Sequence, residues 1–241
     1  MKIKSTILAL AAFSVLGAVT GQAAIIAQQN FETTPATPTA TFTTTGTTAS
    51  NTGAVTGTFS PDPSSTWGVA SSRGISFTTD AGSITFAAIN TVGLTDISLT
   101  LRLAALSINS TANGMDAADN FILAVSVDNG VTFSNQLQIN GNTNARWSFS
   151  DASGSASRAY TTAAATVFTP ASGGVRTTDG FTNLSVTDLP AVASLVVRVT
   201  ATDNDTNERW LVDDYVLNAI PEPSTALLGA IGMLALLRRR R

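Results

Sequence analysis

Cysteine and histidine are both absent from this chain, and its only lysines are Lys2 and Lys4. These absences exclude disulfide stapling, Ser-His-Asp and Cys-His nucleophiles, and zinc held by His or Cys. Imine chemistry is excluded beyond residue 4 for want of a lysine. Charge is sparse, at 12% of residues, and no long stretch between the two ends keeps a helical period. Catalysis, if present, would have to rest on carboxylates.

What is present is clearest at the ends. Lys2 and Lys4 precede an apolar run from Ile7 to Val19, and Gly21-Gln22-Ala23 supplies small residues where a signal peptidase reads. This predicts a signal peptide over 1–23, cut after Ala23, by way of the export machinery. An uncleaved N-terminal helix is the alternative. At the other end, Pro221-Glu222-Pro223 holds the chain extended and lets a helix begin only at Ser224. Thr225 to Leu237 are 13 uncharged residues, about 20 Å of helix against a hydrocarbon core of roughly 30 Å. Arginine snorkelling and local thinning make up the difference, so a membrane helix is expected over 224–237. Arg238, Arg239, Arg240 and Arg241 form a cationic stop that stays on the cytoplasmic side and leaves the rest outside.

The tripeptide Pro221-Glu222-Pro223, the apolar segment and the terminal arginines together resemble the PEP-CTERM sorting signal, over about the last tenth of the chain. The resemblance implies an exported bacterial protein that sits transiently in the inner membrane. It then meets an exosortase, a membrane transpeptidase resembling cysteine proteases that cuts near the motif, and ends at the cell surface or in the extracellular matrix. Association with exopolysaccharide is implied in the same way. A plain anchor that is never cut is the alternative for the tail. Neither reading gives the tail chemistry of its own.

Between the signals, residues 24–219 carry seven arginines against 15 acidic residues, a net charge of −8. Such a surface argues against nucleic acid, which needs phosphate-neutralising cations. Roughly 200 residues suffice for one domain with a full core. Residues 33–58 are half threonine and read as loosely structured. They form either a solvated or glycosylated linker or short edge strands, at Thr39 to Phe42 and Ala54 to Phe59. The segment Ile25 to Phe31 looks like a first strand.

From Gly74 onward the apolar period is two. Ile75 to Phe77, Ile84 to Phe86, Ile97 to Leu103, Phe121 to Val127, Leu195 to Val199 and Trp210 to Leu217 all read as strands. Ser185 to Ala193 has room for one helical turn at most, limited by Pro190. About a dozen strands without crossover helices predict an all-β fold, an antiparallel jelly-roll-like β-sandwich flanked by the signal helix and the membrane helix. The run Arg209 to Leu217 resembles, over nine residues, the last strand of jelly rolls in carbohydrate-binding and adhesive modules.

Ser126-Val127-Asp128-Asn129-Gly130-Val131-Thr132-Phe133 matches the Asp-box pattern, which recurs in several blades of sialidase-like propellers. Here it occurs once, which argues against a propeller, and its expected role is to shape a hairpin. Asp213 and Asp214 are adjacent and point to opposite faces of a regular strand, so they cannot form a glycosidase pair with each other. A bulge would change that registry. No catalytic residue is assigned, and the chain is not expected to be an enzyme. No cofactor is required, but calcium has a candidate site in Asp203, Asp205 and Glu208, hard oxygens spaced between two strands. The competing reading is a polar hairpin loop closed by Asx turns. Asp116 with Asp119-Asn120 is a second, separate cluster. For a sugar ligand, Trp147 and Arg146 are the leading pair, with Asn144, Trp67 and Tyr160 as further candidates. Trp210 is expected in the core.

The functional expectation is therefore an exported cell-surface or matrix protein with a structural or adhesive role, contacting polysaccharide. A calcium-assisted carbohydrate-binding module is the alternative, and a carboxylate-dependent glycan hydrolase stands third.

Overall fold

Strict alternation of apolar and polar residues, broken by small polar turns, builds this chain into two packed β-sheets. The computed structural model describes residues 22–32, 34–46, 50–54, 73–77, 80–107, 114–149, 154–171, 180–222 and 238. The expected signal helix and membrane helix, Trp67, Pro223 and Arg239 to Arg241 lie outside the described residues. No helix among the described residues is long and apolar enough to cross a membrane. The chain divides into Ala23–Pro221, which is the β body, and a second unit of Met1–Gln22 with Glu222–Arg241.

The described strands are β1 (Ala24–Gln29), β2 (Phe42–Gly46), β3 (Ser50–Ala54), β4 (Arg73–Phe77), β5 (Asp80–Phe86), β6 (Leu94–Ser107) and β7 (Asn120–Ser126). They continue with β8 (Ser134–Asn140), β9 (Gly154–Ala159), β10 (Thr166–Phe168), β11 (Phe181–Leu189), β12 (Val196–Asp203) and β13 (Glu208–Pro221). One sheet runs β3-β4-β13-β6-β11-β9, with β1 also paired to β13, and the other runs β10-β8-β7-β12-β5-β2. The expectation of an all-β, two-sheet fold is met, with one difference. Pairing is mixed, because β9 lies parallel to β11 and β10 parallel to β8. Ser185 to Leu189 are strand residues in β11, where one helical turn was the most expected.

The period-two pattern fixes what faces inward. In β6, Ile97, Leu99, Leu101, Leu103 and Ala105 enter the core while Ser98, Thr100 and Arg102 point away from it. In β13 the inward set is Trp210 and Val212, then Tyr215, Leu217 and Ala219, so the parity changes at Asp213-Asp214. The register against β6 jumps there from Asp213↔Arg102 to Val216↔Thr100, one extra residue in β13, and Asp214 takes φ 47°. This is a β-bulge with the aspartate in the left-handed region, a conformation that Asp tolerates better than most residues. It answers the open registry question: Asp214 turns outward to pair with Arg102 at 3.3 Å. A matching bulge on the other side of β6 puts Asp188 of β11 at φ 54° between Val186 and Leu189.

Aromatic rings fill the centre. Phe86 stacks on Tyr215 at 3.9 Å, and Trp210 meets Trp147 edge-on at 5.8 Å and Phe121 at 6.1 Å. Gly180 leaves the space that Trp147 occupies, since a Cβ there would stand 2.3 Å from the indole Cγ. Gly180→Ala should therefore overpack the core and cost about 1–3 kcal/mol. Chemical denaturation checks this, and an unchanged midpoint contradicts it.

Of the threonine-rich stretch, β2 begins at Phe42, where the expected strand ended, and β3 ends at Ala54, where the next was expected to start. The last strand extends to Pro221, two residues past the expected end of the body. A proline at a strand end leaves no interior ladder bond unmade.

Candidate functional site

The turn between β12 and β13 is closed largely by its own side chains. Asp205 Oδ1 accepts from the backbone N–H and the side-chain amide of Asn207, both at 2.8 Å, and the Asp205 carbonyl accepts from the Glu208 N–H at 3.1 Å. Asp205 thus makes the Asx turn that the polar-loop reading anticipated. The turn does not stand alone, however. The pairing Thr202↔Asn120 between β12 and β7 brings the loop before β7 beside it, uniting two clusters that the sequence keeps apart.

Asp119 is the hinge of this junction. It is 1% exposed, its Oδ2 accepts from the Asp116 N–H at 2.6 Å, and its Oδ1 accepts from the Asn204 N–H at 3.1 Å. Asp116 caps its own turn through the Ala118 N–H at 2.7 Å and receives the Asn204 side-chain amide at 3.4 Å. Glu208, 3% exposed, accepts from the Gly114 N–H through Oε1 at 3.2 Å and shares a side-chain hydrogen bond with Asp119. Asp203, also buried, ends β12 opposite Asp80 of β5.

Burial sets the electrostatics. It pushes the Glu208 carboxyl up to about 8, reinforced by the charge of Asp119 and opposed by the Gly114 N–H. Burial likewise raises Asp119 to about 6, against the lowering effect of the Asp116 N–H. Arg209, next to Glu208, is lowered by its own burial, and Asp203 and Asp205 counteract that. Among the described residues no group of three or more acidic, histidine or cysteine side chains is arranged to hold a metal ion. Asp203, Asp205 and Glu208 therefore do not form one ready cage. The contact that does form runs between Asp119 and Glu208.

The sugar-site expectation at Trp147 and Arg146 is corrected. Trp147 is 1% exposed and donates its indole N–H to the Leu103 carbonyl at 3.1 Å, while Arg146 is 2% exposed. The backbone bridge Ala105↔Trp147 draws this polar-looking segment inward. Tyr160 is half-buried against the core, and Trp210 is fully buried as expected.

The Asp-box segment folds as its residue types predict. Asp128 accepts from the Thr132 N–H, the Thr132 hydroxyl at 2.6 Å and the Ser126 hydroxyl at 2.6 Å, which together hold its pKa down at about 2. Asn129 and Gly130 take positive φ at the turn. Beside it, the Arg198 guanidinium lies 3.8 Å over the Phe133 ring. Thr43, Thr85, Asn129, Phe133 and Arg198 line a shallow groove of about 450 Å³ on the outer face of the second sheet. The Asp-box supplies Asn129 and Phe133, but no sequence signal joined them to Thr43, Thr85 and Arg198, which come from three other segments.

No curated protein matches the chain. Among solved structures, the chain is similar to the K3 cleaved adhesin domain of Lys-gingipain from Porphyromonas gingivalis W83, at 14% identity and a TM-score of 0.42, over 82% of this chain and 99% of that one. Residues 219–241 match the PEP-CTERM protein-sorting motif, in agreement with the tail resemblance read from Pro221, Glu222 and Pro223. The chain thus carries a PEP-CTERM sorting tail, which supports an exported, surface-associated protein whose processing partner is an exosortase.

Proposed function

We propose that this chain is an exported β-sandwich delivered to the cell surface or extracellular matrix, where it serves a structural or adhesive role rather than an enzymatic one. The observation that carries the reading is the sorting motif at residues 219–241. Export begins with a signal peptide cut after Ala23. A membrane helix over 224–237, stopped by Arg238 to Arg241, holds the chain until an exosortase cuts near Pro221-Glu222-Pro223. Exposure of Pro221 and Glu222 favours access to that tripeptide, and a cut beyond Pro221 leaves every described strand whole.

Intact mass of the protein from cells with and without the exosortase tests this. Loss of both ends in the first case and retention of the tail in the second is expected. A full tail in both cases makes it a permanent anchor and removes the argument for a matrix role.

Exopolysaccharide is the proposed contact, and the groove around Arg198 and Phe133 favours a second reading as a carbohydrate-binding module. An aromatic ring, a guanidinium and flanking hydroxyls are groups that grip sugars. A polysaccharide pull-down that retains the wild type but not Arg198→Ala would support it, and no retention of either argues against it. A carboxylate hydrolase has less support, because the two carboxyls brought together, Asp119 and Glu208, are both buried.

A further inference from the structure

We propose that the groove around Arg198 and Phe133 is one half of a longer track that binds an acidic polysaccharide, with Arg198 taking the carboxylate of a uronate unit; this deepens the carbohydrate-binding reading and rests on it. The first observation is extent. Strand register sets Thr43 of β2 opposite Thr85 of β5, Thr85 opposite Arg198 of β12, Arg198 opposite Ala124 of β7, and Ala124 opposite Asn135 of β8. Five strands in line span about 19 Å at the usual spacing of a sheet. Phe133 lines the groove that holds Thr43, Thr85 and Arg198, and it also lines a second groove, of about 430 Å³, that holds Asn135 and Gln138. The two grooves meet at this ring, so the track outruns a single sugar and suits a polymer. Its hydroxyls and amides match a ligand rich in hydroxyl groups.

The second observation is charge. Among the described residues that line either groove, Arg198 is the one charged side chain, in a body whose net charge is −8. Its buried Nε–H has no acceptor, and among the described residues no carboxylate pairs with it. Other arginines are spent inside the fold: Arg102 on Asp214 and the Phe149 carbonyl, Arg158 on the carbonyls of Gln136 and Ala164. Asp128, which precedes Asn129 in the groove wall, is already engaged by Ser126 and Thr132. The Phe133 ring meets a face of the Arg198 guanidinium, whereas the N–H groups lie in its plane, so the ring steadies the cation without using its donors. A planar donor fork without an acceptor matches a carboxylate, and a neutral sugar would leave its charge uncompensated.

The test is calorimetric titration of the full chain with hexagalacturonate, with its carboxyl-reduced neutral counterpart and with monomeric galacturonate. Salt at roughly 0.15 M screens the repulsion between acidic body and acidic ligand beyond about 8 Å and leaves the contact itself in force. The acidic hexamer is expected to bind at least ~10-fold more tightly than either of the others, about 1.4 kcal/mol. Arg198→Gln should weaken the acidic hexamer by ~10-fold and remove its advantage over the neutral one. Asn135→Ala, at an exposed position in the second groove, should weaken the hexamer by about threefold or more. Acidic and neutral hexamers bound within about twofold of each other overturn the proposal while the carbohydrate-binding reading stands; binding of neither overturns both. Binding of the acidic hexamer by Arg198→Gln within about twofold of the wild type also overturns it, and a monomer as tight as the hexamer overturns the extended track. Should Arg198→Gln fail to fold, the two hexamers on the wild type and Asn135→Ala decide the matter.

Discussion

Trp210→Ala is expected to cost about 3–5 kcal/mol, a large share of the roughly 5–15 kcal/mol that holds such a domain together. The indole is 0% exposed and donates its N–H to the Thr202 carbonyl at 3.0 Å. Its ring meets Trp147 and Phe121, so truncation opens a cavity against two aromatic faces at once. Its backbone stands between Phe77 of β4 and Ala105 of β6, in the middle of the larger sheet, where collapse around the void is hindered on both sides. Trp210→Phe should recover most of the packing and lose mainly the hydrogen bond, about 1–2 kcal/mol. Denaturant midpoints of the three proteins give the comparison. A loss below about 1 kcal/mol for the alanine variant would mean that Trp210 does not anchor the core.

The wild type is expected to lose stability steadily as pH rises from about 4 to about 8, by at least about 3 kcal/mol. The sign follows from Glu208 and Asp119, raised to about 8 and about 6 from ordinary values of 4.5 and 3.8. Between those limits the folded chain binds more protons than the unfolded one, so raising pH favours unfolding; above the folded values the effect is complete. The charges of Asp116 and Asp205 help to raise Glu208, while Arg209 sits beside Asp203 and Asp205. Asp128, held at about 2, contributes in the opposite direction and only in acid. In thermal melts the decline amounts to at least about 6 °C. Glu208→Gln should flatten most of it, because the amide stays neutral throughout. The same slope in both proteins would place the pH dependence elsewhere.

The strands that could be read from sequence are those with a long apolar alternation. β6 and β13 declare themselves through Ile97, Leu99 and Leu101 and through Trp210 and Val212. β9 could not be read this way, since GSASRA buries one residue, Ala156, and carries no large apolar residue. β8 hides its pattern behind a bulge, where Gln136 is buried and spends its side-chain amide on the carbonyls of Ser134 and Thr161. The acidic junction was half legible. Both clusters were visible, but their meeting depends on one register, Thr202 opposite Asn120, which no local spacing encodes. Trp147 and Arg146 misled for a related reason: Asn144 and Ser148 look like surface residues, and the bridges Ala105↔Trp147 and Met115↔Ala145 draw the segment inward. The tail needed no fold to be read, because its order of proline turn, apolar run and arginines is itself the signal.

The order in which strands enter the two sheets has a temporal consequence. From β4 onward the chain changes sheet at nearly every step, and the last of the described strands to be made, β13, fills the slot between β4 and β6 while also binding β1. A chain leaving the ribosome or a translocation channel from its N-terminus cannot close the larger sheet until Pro221 has emerged, and contacts so distant in sequence form slowly. Assembly of the β body therefore waits for the residues at which the sorting motif starts, so the chain becomes a folded object only as its tail is presented for sorting.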